Sequence, residues 1–143
     1  MKGSFEVQSV EETWALATQV AAELKAGDIL CLEGDLGAGK TTFTQGLAHA
    51  LGVKGRVTSP TFCIVQEHPA TGGASIPLLV HMDLYRLHGE DDVLAIGWED
   101  YLAQGAVLVV EWPERAGSLI PPDARHIVFL HRGEANRQID IDI

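Results

Sequence analysis

The sequence has few of the features that would suit an extracellular or membrane setting. Only two of its 143 residues are cysteine, Cys31 and Cys63. Two are too few for the disulfide framework of a small secreted scaffold, and both lie in apolar, strand-like runs that suit buried thiols. No apolar run approaches the ~20 residues needed to cross a bilayer. The first residues carry no apolar leader core, so the expected setting is cytoplasmic and free of membrane. Basic residues are scarce as well: 10 Lys and Arg face 20 Asp and Glu, for a formal net charge of −10. Unaided binding to nucleic acid needs clustered cations against phosphate, so it is a poor reading here. The acidity keeps the chain soluble or offers a surface to a basic partner. No zinc-type spacing accompanies His81-x-Asp83, and no Ser-His-Asp arrangement stands out.

What is present fits one globular domain over residues 1–143, with 46% hydrophobic and 21% charged residues. Its strongest signal is Gly34-Asp-Leu-Gly-Ala-Gly-Lys-Thr41, a complete G-x-x-x-x-G-K-[ST] phosphate loop. A buried-strand pattern (Ile29, Leu30, Cys31, Leu32) leads in, and a helix pattern (Phe43, Leu47, Leu51) leads out. In such a loop, successive backbone N–H groups wrap phosphate oxygens and the helix start adds its positive dipole end. Gly37, Ala38, Gly39, Lys40, Thr41 and Thr42 are therefore candidate nucleotide contacts. Lys40 would reach the β- and γ-phosphates, and the Thr41 hydroxyl would sit on Mg²⁺.

Ser9-Val-Glu-Glu12 reads as a capping box that opens a helix with Val10, Trp14, Ala17, Ala21 and Leu24 on one face and Gly27 at its end. A strand over 28–33, the loop, and a helix from Lys40 to Leu51 follow. Residues 57–67 and 76–83 read as extended segments able to pair as a hairpin. Residues 88–104 read as two short helices interrupted by Gly97, and 107–111 as a compact strand. Pro113, Pro121 and Pro122 bracket an irregular connection. Strands over 126–131 and 138–143 flank a turn at 133–136, and the alternation of Ile139, Ile141 and Ile143 with Asp140 and Asp142 suggests a half-exposed edge. The order implies an α/β, P-loop NTPase-like three-layer fold. Its central sheet is expected to be mixed and mainly parallel, with antiparallel edge hairpins, and its ligand to bind beyond the strand carboxyl ends.

Two acids end apolar strands, Asp83 after Leu78-Leu-Val-His-Met and Glu111 after Val107-Leu-Val-Val. Strands parallel to 28–33 would deliver both beside Lys40 and Thr41. Either acid could bind Mg²⁺ while the other orients the attacking water; the sequence leaves open which. Thr58-Ser-Pro-Thr-Phe62 lies where nucleotide switches carry a γ-phosphate-sensing hydroxyl. Arg86 and Arg115 read as structural ion-pair partners or as charge stabilisers, and Trp112 as a stacking or a core residue. His81 reads as a strand side chain turned away from the surroundings of Asp83. The Asn-Lys-x-Asp run by which P-loop GTPases read guanine is missing, since Asn136 is the sole asparagine. Adenine is left by elimination, with Ser9, Thr13 and the turn at Gly133 as candidate base contacts.

Four segments in this order resemble the bacterial TsaE (YjeE) family: Gly34–Thr42, Thr58–Phe62, His81-Met-Asp-Leu-Tyr-Arg-Leu87 and Glu111-Trp-Pro-Glu114. The resemblance runs from about residue 9 onward. It implies a small ATPase that binds ATP or ADP with Mg²⁺ and acts with TsaB and TsaD in making threonylcarbamoyladenosine in tRNA, with the tRNA held mainly by those partners. It further implies that Thr41 and Glu111 ligate Mg²⁺, that Lys40 and residues 37–42 hold phosphates, and that Asp83 acts in hydrolysis. Trp112 would lie near the nucleotide, and 58–62 would form the switch. A small-molecule kinase and a nucleotide-binding scaffold without hydrolysis are the competing readings; no long arginine-bearing insertion supports the kinase.

Overall fold

The computed structural model describes residues 2–35, 37–60, 63–71, 75–133 and 136–142. Leu36 of the phosphate loop, Thr61 and Phe62 of the expected switch, Glu134 and Ala135 in the turn and Ile143 of the last strand lie outside the described residues. Among the described residues, seven strands form one sheet: β1 (Lys2–Val7), β2 (Ile29–Gly34), β3 (Val65–Pro69), β4 (Leu78–Asp83), β5 (Val107–Glu111), β6 (Arg125–His131) and β7 (Arg137–Asp142), in the order β1-β7-β6-β2-β5-β4-β3. The centre is parallel: β2 pairs parallel with both β6 and β5, and β5 with β4. Antiparallel β3 closes one side on β4, and β7 and β1 extend the other. This is the mixed α/β sheet with antiparallel edges that the pattern predicts.

Alternation along the strands divides the core into two layers. Leu30, Leu32, Val107, Val109, Ile127 and Phe129 pack against helices α1 (Val10–Glu23) and α2 (Lys40–Ala50). Ile29, Cys31, Val80, Met82, Leu108 and Val110 face α3 (Glu90–Ala95), α4 (Trp98–Ala103) and a 3-10 helix over Pro113–Leu119. The side chains of one strand thus serve both layers, because successive residues point to opposite faces. Continuous apolar runs such as Ile29–Leu32 and Val107–Val110 are what a strand covered on both sides requires.

Several local expectations need correction. Residues 2–7 form a strand that the pattern did not reveal, and β1 takes the edge. The Ile139/Asp140 alternation therefore belongs to a strand flanked by β1 and β6, with Ile139 and Ile141 buried in the core and Asp142 exposed. Ser9 caps α1, its Oγ accepting from the Glu12 N–H at 3.1 Å, but Glu12 reaches back to the Gln8 N–H at 3.2 Å. The buried face of α1 is Thr13, Leu16, Ala17, Val20 and Ala21, whereas Val10 is 55% exposed. The helix ends at Glu23, so Gly27 shapes the following turn instead of the cap. Regular pairing in the 57–67 stretch begins only at Val65. The connection bracketed by the prolines contains the 3-10 helix just described.

Gly46 fixes the closeness of α1 and α2. A Cβ there would come within 2.9 Å of the Trp14 ring and 3.0 Å of the Trp14 Cα. Alanine would gain about 1 kcal/mol of helix propensity, but overpacking against backbone costs about 1–3 kcal/mol. Gly46→Ala should therefore destabilise the fold by roughly 1 kcal/mol, seen as a lower urea midpoint with an unchanged slope. The two thiols differ. Cys31 is buried, and that burial pushes its pKa up to about 12, whereas Cys63 is exposed, contrary to expectation. Since the thiolate is the reactive form, iodoacetamide at pH 8 should alkylate native protein at Cys63 and spare Cys31, as peptide mass mapping would show.

Candidate functional site

The parallel strands β2, β4 and β5 all end at the same rim of the sheet. Asp83 and Glu111 are register partners as the last residues of β4 and β5, and Leu32 of β2 is opposite Glu111. The loop 35–39 therefore leaves β2 beside both acids. A cleft of about 960 Å³ opens there, lined among others by Gly37, Lys40, Thr41, Asp83, Glu111 and Trp112. A volume of this size accommodates a cofactor-sized ligand.

The loop is built for an anion. Gly39 caps α2 with left-handed φ of 108° and no side-chain hydrogen bond. The first N–H groups of α2 thus lack a capping side chain and point to the rim. Gly37 is also left-handed, with φ of 80°. Gly34 has a steric reason of its own: a Cβ would fall 2.6 Å from the Phe129 carbonyl oxygen of β6. Ala38 is buried beneath the loop, its N–H bonded to the Asp35 carbonyl at 3.0 Å, and does not line the cleft. Thr41 and Thr42 line it from the first turn of α2.

Lys40 and Glu111 meet across the cleft floor, Nζ to Oε1 at 3.7 Å, with side chains only 12% and 9% exposed. The Lys40 ammonium also donates to the Gly34 carbonyl. The other Glu111 oxygen, Oε2, lies 2.7 Å from Nε2 of the fully buried His81. This corrects the expectation that His81 turns away: it is two residues before Asp83 on the same strand and shares its face. Asp83 Oδ1 accepts the Tyr85 N–H at 3.0 Å. Burial, above all, pushes the Asp83 carboxyl above its ordinary range; the Tyr85 bond opposes this, and the charge of Glu111 adds to it. The oxygens of Thr41, Glu111 and Asp83 are the hard donors that Mg²⁺ takes. Among the described residues no group of three or more His, Cys, Asp or Glu could hold a metal ion. A cation at this rim would need phosphate and water oxygens to complete its shell.

Trp112 follows Glu111 in left-handed backbone, φ 57°, the one described non-glycine residue with positive φ. That turn throws the indole out of the core, 43% exposed, against Tyr85 with ring centroids 4.8 Å apart. Arg115 stands 5.9 Å from the Tyr85 ring centre, and Arg86 lines the cleft. Neither arginine makes an ion pair among the described residues. Ser59 and Pro60 line the cleft from the expected switch segment. Ser9, Thr13 and Gly133 do not line it. Thr13 is buried, with its hydroxyl on the Ser9 carbonyl at 3.2 Å. They nevertheless share the rim, since Val7 and His131 both lie opposite Arg137 in the sheet. His131 is also the side chain nearest a Cβ built on Gly37, at 3.9 Å.

Comparison with known proteins bears on this site. A family model described as "Threonylcarbamoyl adenosine biosynthesis protein TsaE" matches residues 7–139. The chain is similar to the tRNA threonylcarbamoyladenosine biosynthesis protein TsaE of Bacillus subtilis, 43% identical over 129 residues that span 90% of this chain and 78% of that one. It is 34% identical to the protein of the same name from Treponema pallidum, over 94% of this chain and 96% of the relative. A crystal structure of Bacillus subtilis YdiB superposes with a TM-score of 0.77 at 35% identity, covering 99% of this chain and 84% of that one.

Trp112, just past the end of β5, and Trp98, at the start of α4, differ in what they contribute to stability. Left-handed backbone costs a bulky residue about 1–2 kcal/mol, which offsets the ~0.5–1.5 kcal/mol of its aromatic contact. Trp112→Gly should therefore leave thermal stability nearly unchanged. Trp98→Ala, at a residue only 2% exposed, should cost about 3–5 kcal/mol. Calorimetry of both variants checks the contrast.

Proposed function

This chain belongs to the TsaE family of tRNA threonylcarbamoyladenosine biosynthesis proteins, and from that premise we propose that its rim cleft hydrolyses ATP with Mg²⁺ when TsaB and TsaD are bound. The family is one of nucleotide-binding P-loop ATPases; the cation, the activation by partners and the residue roles are our reading. The observation that carries it is the convergence of Lys40, Thr41, Asp83 and Glu111 on one cleft at the ends of parallel strands.

In this reading the N–H groups of Gly37 and residues 39–42 wrap the β- and γ-phosphates while Ala38, its N–H on Asp35, supports the loop from beneath, and Lys40 exchanges its contacts with Gly34 and Glu111 for phosphate oxygens. Thr41 and Glu111 would hold Mg²⁺, which would supply positive charge beside the phosphates. Asp83 orients the attacking water; its raised affinity for a proton suits a group that accepts one during attack. Trp112 covers the mouth of the cleft. The base extends over Gly37 toward Ser9, Thr13 and Gly133, an assignment supported by the shared rim of β1, β6 and β7. tRNA is held by the partners, in keeping with a net charge of −10. Among the described residues no helix is long and apolar enough to cross a membrane, and cytoplasmic action beside tRNA is the matching setting.

ATP turnover should be slow for the chain alone and rise when TsaB and TsaD are added together. Lys40→Ala should abolish nucleotide binding. Asp83→Ala should still bind a non-hydrolysable ATP analogue, with turnover lower by about 10²-fold or more. Equal turnover with and without the pair, or wild-type turnover from Asp83→Ala, would overturn the proposal.

A further inference from the structure

His81 has no part in the mechanism above, yet it is 0% exposed and directly bonded to one of its acids. A polar ring buried in a sheet face whose neighbours Leu79 and Val109 belong to the core loses its hydration, and an apolar side chain would avoid that cost. The ring recovers a single bond: Nε2–H donates to Glu111 Oε2 at 2.7 Å, while Nδ1 has no hydrogen-bond partner.

That bond divides the two oxygens of Glu111. Oε2 is held from beneath by the imidazole, and Oε1 faces the cleft 3.7 Å from Lys40 Nζ. Without the imidazole, the terminal torsion of a glutamate is broad and the carboxylate would turn freely. We propose that His81 is a positioning residue that locks the Glu111 carboxylate so that Oε1 is presented to a divalent cation bound with the nucleotide phosphates. Groups that orient a metal-binding side chain in this way typically change metal affinity by about 10–100-fold when removed. The proposal rests on Glu111 being a cation ligand, as argued under the proposed function.

The test compares His81→Gln with His81→Asn. Both keep a polar amide in the buried position, but only the glutamine nitrogen extends about as far as Nε2; the asparagine falls short of Glu111. Binding of a non-hydrolysable ATP analogue is measured by calorimetry in excess MgCl₂ and in EDTA, with Glu111→Gln as control. Mn²⁺ uptake by each protein with the analogue is followed by electron paramagnetic resonance. Wild type should bind the analogue more tightly with Mg²⁺. His81→Asn should keep the affinity seen in EDTA but lose about tenfold or more of the Mg²⁺-dependent gain and of Mn²⁺ affinity, and His81→Gln should retain most of both. If Glu111→Gln lowers the Mg²⁺ gain while His81→Asn leaves it intact, the positioning role is overturned and the cation reading stands. Equal losses in both His81 variants, or losses that appear equally in EDTA, would mean that His81 only holds the fold. A Mg²⁺ gain that survives Glu111→Gln removes the cation reading and the positioning role with it.

Discussion

Lys40 and Glu111 can face each other at 3.7 Å only because β2 and β5 run side by side in one direction and end together. Had either strand been reversed, Glu111 would lie at the far end of the sheet from the phosphate loop. The parallel alignment in turn demands crossovers, and the helices that make them cover both faces of the central strands. The apolar runs of β2, β4 and β5 and the two-sided core are thus conditions for the site, because strands buried on both faces hold their ends where solvent-facing ones would fray.

The rim concentrates features that cost stability. Glu111 and Lys40 are nearly withdrawn from water, a situation in which removing one partner strands the other. Asp83 is half-buried beside a second carboxylate. Trp112 adopts a backbone conformation disfavoured for a bulky side chain. Backbone strain of this kind is tolerated where the surroundings over-determine it, and it clusters at functional sites. Here the surroundings are a rigid strand end before Trp112 and a 3-10 helix starting at Pro113 after it. The left-handed turn is what separates the fate of Trp112, at the mouth of the cleft, from that of Trp98, sealed in the core.

Much of this was legible in the sequence. The phosphate loop, the strands ending in Asp83 and Glu111, the hairpin of β3 and β4 and the break at Gly97 all follow from local pattern, because each is set by residues near one another in the chain. The misses share a different cause. Residues 2–7 look unremarkable alone and become a strand by pairing with β7, more than a hundred residues away. His81 looked like a strand residue turned away, because its partner Glu111 lies thirty positions on. The one available signal was its spacing: a histidine two residues before a strand-end acid lies on that acid's face. Cys63 read as buried from its apolar neighbours, but it lies before β3, outside the paired strand, and it is exposed.

By itself, then, the sequence determined an anion-binding loop between a strand and a helix, an α/β layering, and the identity of the acids that could serve it. These are properties of short-range periodicity, glycine conformation and strand termini. Only the tertiary structure decided that Asp83 and Glu111 stand opposite each other, that one oxygen of Glu111 is taken by a buried imidazole while the other faces Lys40, and that the turn at Gly133 shares a rim with the start of α1. Strand order and direction are set by how the whole chain buries both faces of one sheet, and no local pattern encodes that choice.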